Sequence, residues 1–76
     1  MREMCPVTAI SAGRKVEVVK LLGGNTFLIR LEEMGILPGT NLEIVSNGGG
    51  PVMLGVGNSR FAVGQGIASR IFVREI

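Results

Sequence analysis

Twelve glycines in 76 residues, among them Gly23-Gly24 and Gly48-Gly49-Gly50, cut this chain into short apolar runs separated by turns. That is the punctuation of a small β-protein. Lys15 to Leu22 is β-branched at three of its first five positions and is stopped by Gly23-Gly24, which predicts a first strand. In the run that follows, Phe27, Leu31 and Met34 fall at i, i+4 and i+7. With Asn25 or Thr26 placed to cap and Gly35 to terminate, one short helix is expected over about residues 25–34. Ile36 is the hydrophobic residue just past a glycine cap, and Pro38-Gly39 suits a type I or II turn into a second strand, Asn41 to Val45.

Beyond the SNGGG loop, Val52, Leu54 and Val56 alternate with Met53, Gly55 and Gly57, so one face of this third strand is buried. Gly57-Asn58 is a favoured two-residue hairpin loop, leading into a strand that carries Phe61 and Val63. A helical turn at about residues 65–70 precedes a fifth strand, in which Ile71 and Val73 alternate with Phe72 and Arg74. Five strands are too few for a sandwich, whereas a small barrel closes its own edges. The expected fold is mainly β: a small five-stranded barrel with one inserted helix, forming a single domain over residues 1–76. A chain of this length has room for one core, and its 46% apolar content excludes intrinsic disorder.

The residue types that are missing narrow the chemistry. There is no His, Asp, Trp or Tyr and only one Cys, Cys5. Nucleophilic catalysis needs a base within hydrogen-bonding reach, and without His only four serines beside Glu or Lys remain. The GQGIAS segment lacks the third glycine of a dinucleotide loop and the lysine of a P-loop. A zinc site needs about four N or S ligands, and the soft donors here are Cys5, Met1, Met4, Met34 and Met53. Met4 and Cys5 are thus weak candidates for transition-metal binding, against the plainer reading of a partly exposed thiol near a mobile terminus. Glu32 and Glu33 are helix neighbours that diverge by about 100°, which suits a solvated face better than a metal clamp.

Partners are bounded in the same way. The net charge is +2, and the eight basic residues, Arg2 among them, are interleaved with glutamates rather than clustered, so nucleic acid is not expected. The longest uncharged stretch, Ile44 to Ser59, is sixteen residues and contains Gly48-Gly49-Gly50-Pro51, too short and too broken to span a bilayer. The first ten residues hold a charge pair and a proline rather than a signal-peptide core, and one cysteine suits a reducing compartment. A soluble cytoplasmic protein is expected. Leu21, Leu22, Leu28, Ile29, Met34, Ile36 and Leu37 crowd one region, more apolar side chains than a core of this size can hide. Leu21, Leu22, Met34, Ile36 and Leu37 are the candidate lining of a partner-binding cleft near the helix. A wholly core role is the competing reading, and such a cleft could also serve a homo-oligomer.

The run RLEEMGILPG, Arg30 to Gly39, resembles the RL..MG..PG signature of the ferrous iron transport protein A family, FeoA. The resemblance extends upstream over CPVTAISAGRKVEVVKLLGG and downstream over FAVGQGIASRIFV, with Ala62, Val63, Ala68, Ile71 and Val73 in step, so that it covers about Cys5 to Val73. Gly64 and Gly66 depart from the family pattern, which commonly has Arg at the first position and an acidic or helix-forming turn at the second. The resemblance implies an SH3-like β-barrel and no enzymatic activity. It implies a small cytosolic accessory of the FeoB-type ferrous iron transporter, a membrane protein with a cytosolic G-protein domain. An SH3-like regulatory module of the iron-dependent repressor type is the alternative, although no helix-turn-helix precedes the barrel here. A weak transition-metal carrier is the third reading.

Overall fold

The computed structural model describes residues 3–76. Met1 and Arg2, a candidate soft donor and one of the cations weighed above, lie outside the described residues. Strand β1 (Cys5–Pro6) runs into a single 3₁₀ turn (Val7–Ala9), followed by β2 (Lys15–Leu21) and helix α1 (Asn25–Glu33). Then come β3 (Asn41–Ser46), β4 (Val52–Val56), β5 (Ser59–Val63), the single-turn helix α2 (Gln65–Ala68) and β6 (Ile71–Glu75). The strands form one antiparallel sheet in the order β1-β6-β2-β3-β4-β5. The mainly β fold with its inserted helix is therefore present, but with six strands rather than five. The additional one, β1, pairs Cys5 and Pro6 with Val73 and Phe72, and two residues are too few to show an alternation in sequence. Cys5 is the partly exposed thiol expected, held in this strand and packed against the core.

One face of this sheet carries the core. Val16 and Val18, Leu42 and Ile44, Val52 and Leu54, Val63, and Ile71 and Val73 are all buried, each pair two residues apart on its strand as the pleat requires. Val7, Ile10, Leu31, Ile36 and Ala68 from the connections complete the cluster. With no second sheet among the described residues to cover that face, the strands curl around it. Two register shifts supply the bend: one residue is extra between Val18 and Lys20, the other between Ile44 and Ser46. Among the described residues no ladder joins β5 to β1. The barrel is completed there by packing, α2 lying against the 3₁₀ turn.

The β4–β5 hairpin has the expected Gly57-Asn58 loop, with Val56 opposite Ser59. Only Gly57 has a positive φ, +59°, the sign pattern of a II′ turn. A polar clamp ties the N-terminal segment to the far end of β3: Asn47 Nδ2 donates to the carbonyls of Thr8 and Ile10 at 3.0 and 2.9 Å. Asn47→Asp keeps the shape but turns the donor into a third acceptor. The expected loss is roughly 1–3 kcal/mol, more than a surface substitution gives. A urea midpoint unchanged from the parent would show that the clamp contributes nothing. No helix among the described residues is long and apolar enough to cross a membrane.

Candidate functional site

The helix that shapes the candidate site is anchored at both ends by backbone geometry. At its start the N-cap is Gly24, with extended backbone and no capping side chain, so neither Asn25 nor Thr26 takes the role expected of it. Gly23 is needed for another reason. A Cβ there would fall 2.7 Å from Phe27 Cγ, so the ring can settle against the backbone only at a glycine. Phe27 also lies under the Arg70 guanidinium, 5.8 Å from ring centroid to Cζ, while the Leu22 N–H donates to the Arg70 carbonyl at 3.0 Å.

The C-terminal end is a Schellman motif. The Ile36 N–H donates to the Leu31 carbonyl at 2.8 Å and the Gly35 N–H to the Glu32 carbonyl at 2.9 Å, with Gly35 at φ +80°. This motif brings the residue after the glycine back against the helix, and Ile36 and Leu31 are both buried in the core. Ile36 is therefore corrected from cleft lining to core. The chain then turns through Leu37-Pro38-Gly39-Thr40, with Gly39 at φ +94° and the Thr40 N–H donating to the Leu37 carbonyl at 2.9 Å, a type II turn. The Thr40 hydroxyl accepts from the Leu37 N–H at 3.2 Å and donates to the Gly35 carbonyl at 3.3 Å. Gly39 N–H to the Val18 carbonyl, at 2.7 Å, ties the turn to β2.

Between the end of β2, one face of α1 and this turn lies a groove of about 340 Å³, lined by Leu21, Leu28, Glu32, Leu37 and Pro38. Leu28 and Glu32 are i and i+4 on the helix, hence on one face. Of the residues expected to line a cleft, Leu21 and Leu37 do so. Leu22 is exposed outside this lining, and Met34 is half-buried against the core. Leu28 belonged to the crowded apolar set but not to the expected lining; Glu32 and Pro38 were not anticipated there. The i, i+4 pairing of Leu28 with Glu32, on the flank of the stripe that buries Leu31, is the signal that could have found them. Leu28 at 36% exposure, Leu37 at 42% and neighbouring Ile29 at 54% make this an apolar surface in water.

A larger concavity, about 590 Å³, lies on the outer face of the sheet. Gly55, without a side chain, sits there between Glu43 and Arg60 on the flanking strands. Lys15, Asn41, Asn58 and Ser59 share the lining with Leu42 and the exposed Ile76. The hollow follows from a glycine between two charged neighbours on the outer sheet face, and most of the side chains around it are polar. The leucines around the α1 groove, by contrast, leave apolar side chains exposed in a concave surface. Two ion pairs, Arg14 with Glu75 and Arg74 with Glu17, each at 2.9 Å, lie at the surface and contribute little.

Neither of the weak metal candidates gathers a ligand set. Met4 is 44% exposed, Cys5 packs against the core, and among the described residues no three of His, Cys, Asp or Glu converge.

This architecture has known counterparts. The chain is 35% identical over 72 residues to the Methanocaldococcus jannaschii protein named as an Fe(2+) transport protein A, covering 95% of this chain and 88% of that one. A crystal structure of the iron uptake regulatory protein FeoA superposes with a TM-score of 0.91 at 35% identity, over 97% of this chain and all of the other. The zinc complex of Stenotrophomonas maltophilia FeoA, described as a prokaryotic SH3 domain protein, superposes with a TM-score of 0.72 at 28% identity, over 90% and 87% of the two chains. The barrel is SH3-like, as its strand order and inserted helix suggest. The model of the FeoA domain matches residues 5–75. The chain belongs to the FeoA domain family.

Proposed function

We propose that this protein is a non-enzymatic cytosolic accessory of ferrous iron uptake, which docks the groove beside α1 onto a cytosolic segment of a FeoB-type transporter. Family membership and the name of the Methanocaldococcus relative support the link to ferrous iron. The observation that carries the docking is the groove itself: Leu21, Leu28, Leu37 and Pro38 around a single carboxylate, Glu32, held open by a hydrogen-bonded turn. Apolar walls with one acid at the rim fit an apolar side chain followed by a cation on the partner segment. The lack of His and Asp and the single Cys support the non-enzymatic reading.

Fluorescence anisotropy of the labelled chain, titrated with the isolated cytosolic G-domain of the transporter, tests the reading. Saturable binding in roughly the micromolar range is expected of a small transient interface. Failure to bind both that domain and the detergent-solubilised full-length transporter would overturn it.

A further inference from the structure

Asn47, whose side chain clamps the N-terminal segment to the end of β3, is followed in the chain by Gly48. A glycine after an asparagine leaves the side-chain amide open to attack by the next backbone nitrogen, because no Cβ crowds the approach. The other three asparagines, Asn25, Asn41 and Asn58, precede Thr26, Leu42 and Ser59, whose side chains obstruct it. Gly48, Gly49 and Gly50 are exposed, and a Cβ on any of them would meet nothing within 4 Å. The Gly48 N–H has no acceptor among the described residues, so its nitrogen is free to react. The Asn47 amide is in the opposite condition. Its Nδ2 is held by the Thr8 and Ile10 carbonyls, while among the described residues no donor stands at Oδ1 to stabilise charge developing there. The nucleophile is ready, and the group it would attack is fixed until the clamp opens.

We propose that Asn47 is a site of covalent modification, deamidating through a cyclic imide with Gly48 at a rate set by opening of the clamp, which then cannot re-form. Solvent hydroxide takes the Gly48 amide proton, and the nitrogen lone pair forms a bond to Asn47 Cγ as the C=O π pair moves to Oδ1. The pair returns, the Cγ–Nδ2 bond breaks, and Nδ2 leaves as ammonia with a proton from water, which restores the hydroxide. Water then opens the imide. Breaking the new N–Cγ bond gives aspartate at position 47, and breaking the original peptide bond gives isoaspartate, with the chain running through Cγ. Overall one water is consumed and one ammonia released, with no change of oxidation state. Either product replaces a two-proton donor by a carboxylate, which only accepts, opposite two carbonyls. The N-terminal segment loses this tie to β3, and its strand β1 holds to the sheet by two residues only. The step is irreversible and depends on no ligand of the α1 groove.

The full chain, aged in mildly alkaline buffer with and without urea above its unfolding midpoint, tests this by peptide mapping of the amide-to-acid mass gain. In urea the gain is expected at Asn47 well ahead of the other three asparagines. In the native chain the same residue is expected to react about tenfold or more slowly, one decade for each 1.4 kcal/mol of clamp opening. Gly48→Ala separates the chemistry from the fold. Gly48 has no positive φ and open space at its Cβ position, so the variant should keep the parent's melting temperature. Its Cβ should slow the reaction in urea by about tenfold or more. In the modified native chain, isolated by ion exchange, the Ile10 amide of the 3₁₀ turn is expected to exchange about tenfold or more faster than in the parent. Equal rates with and without urea, preference for Asn25, Asn41 or Asn58, a Gly48→Ala variant that reacts as fast as the parent, or unchanged exchange at Ile10 would each overturn the proposal.

Discussion

Ile36→Ala is expected to lower the unfolding free energy by roughly 2–5 kcal/mol. Ile36 is fully buried, held there by the Schellman hydrogen bond to Leu31, and it touches a core with no second layer to relax into the space. A domain of this size holds only about 4–11 kcal/mol in total, so one side chain removes a large part of the stability. At about 4–8 °C per kcal/mol, the melting temperature should fall by 8 °C or more. Thermal denaturation followed by circular dichroism measures it. A loss below about 1 kcal/mol would mean that Ile36 is a surface residue after all, and that the turn after α1 is misplaced.

Leu28→Asp combined with Leu37→Asp is expected to do the opposite: leave the fold standing and abolish docking. Both side chains are more than one-third exposed, and Asp in the first turns of α1 is favoured by the helix dipole, so the melting temperature should move little. Filling the groove with a partner's apolar side chain buries leucine surface at roughly 1.5–3 kcal/mol per side chain, and a buried unpaired carboxylate costs more than that. The affinity for the transporter's G-domain should therefore fall by at least about tenfold, since 1.4 kcal/mol is one decade. Lys15→Ala, in the polar hollow on the other face, should bind as the parent does. Equal loss in both variants would point to general damage, and no loss in the double variant would remove the groove from the mechanism.

Much of the fold was legible because its signals are local. The alternation through Val52, Leu54 and Val56 fixed which face is buried, and Gly57-Asn58 fixed the hairpin register. Strand β1 was not legible, since its two residues are strands only because Val73 and Phe72 lie beside them. The N-cap was misassigned because Asn25 and Thr26 have the better capping side chains, whereas the close approach of Phe27 to Gly23 sets where the helix starts. The candidate groove was half legible. Crowding of leucines near α1 announced an exposed apolar surface, but composition does not say which leucines face out. Ile36 illustrates the difference. Its place after Gly35 already marked it as the residue that folds back on the helix, and that local rule outweighs its membership of the crowd. Leu28 and Glu32 are neighbours only through the helical period, and Pro38 joins them only through the type II turn.

Amide NMR of the labelled chain, titrated with the transporter's isolated cytosolic G-domain in the presence and absence of a GTP analogue, tests the docking claim most directly. Shifts are predicted to cluster on Leu21, Leu28, Glu32 and Leu37 and on Gly39 and Thr40 in the turn behind them, and to spare the outer-face residues Lys15, Glu43 and Gly55. Shifts confined to the outer face, or to the β5 edge, with the α1 groove silent, would contradict the account.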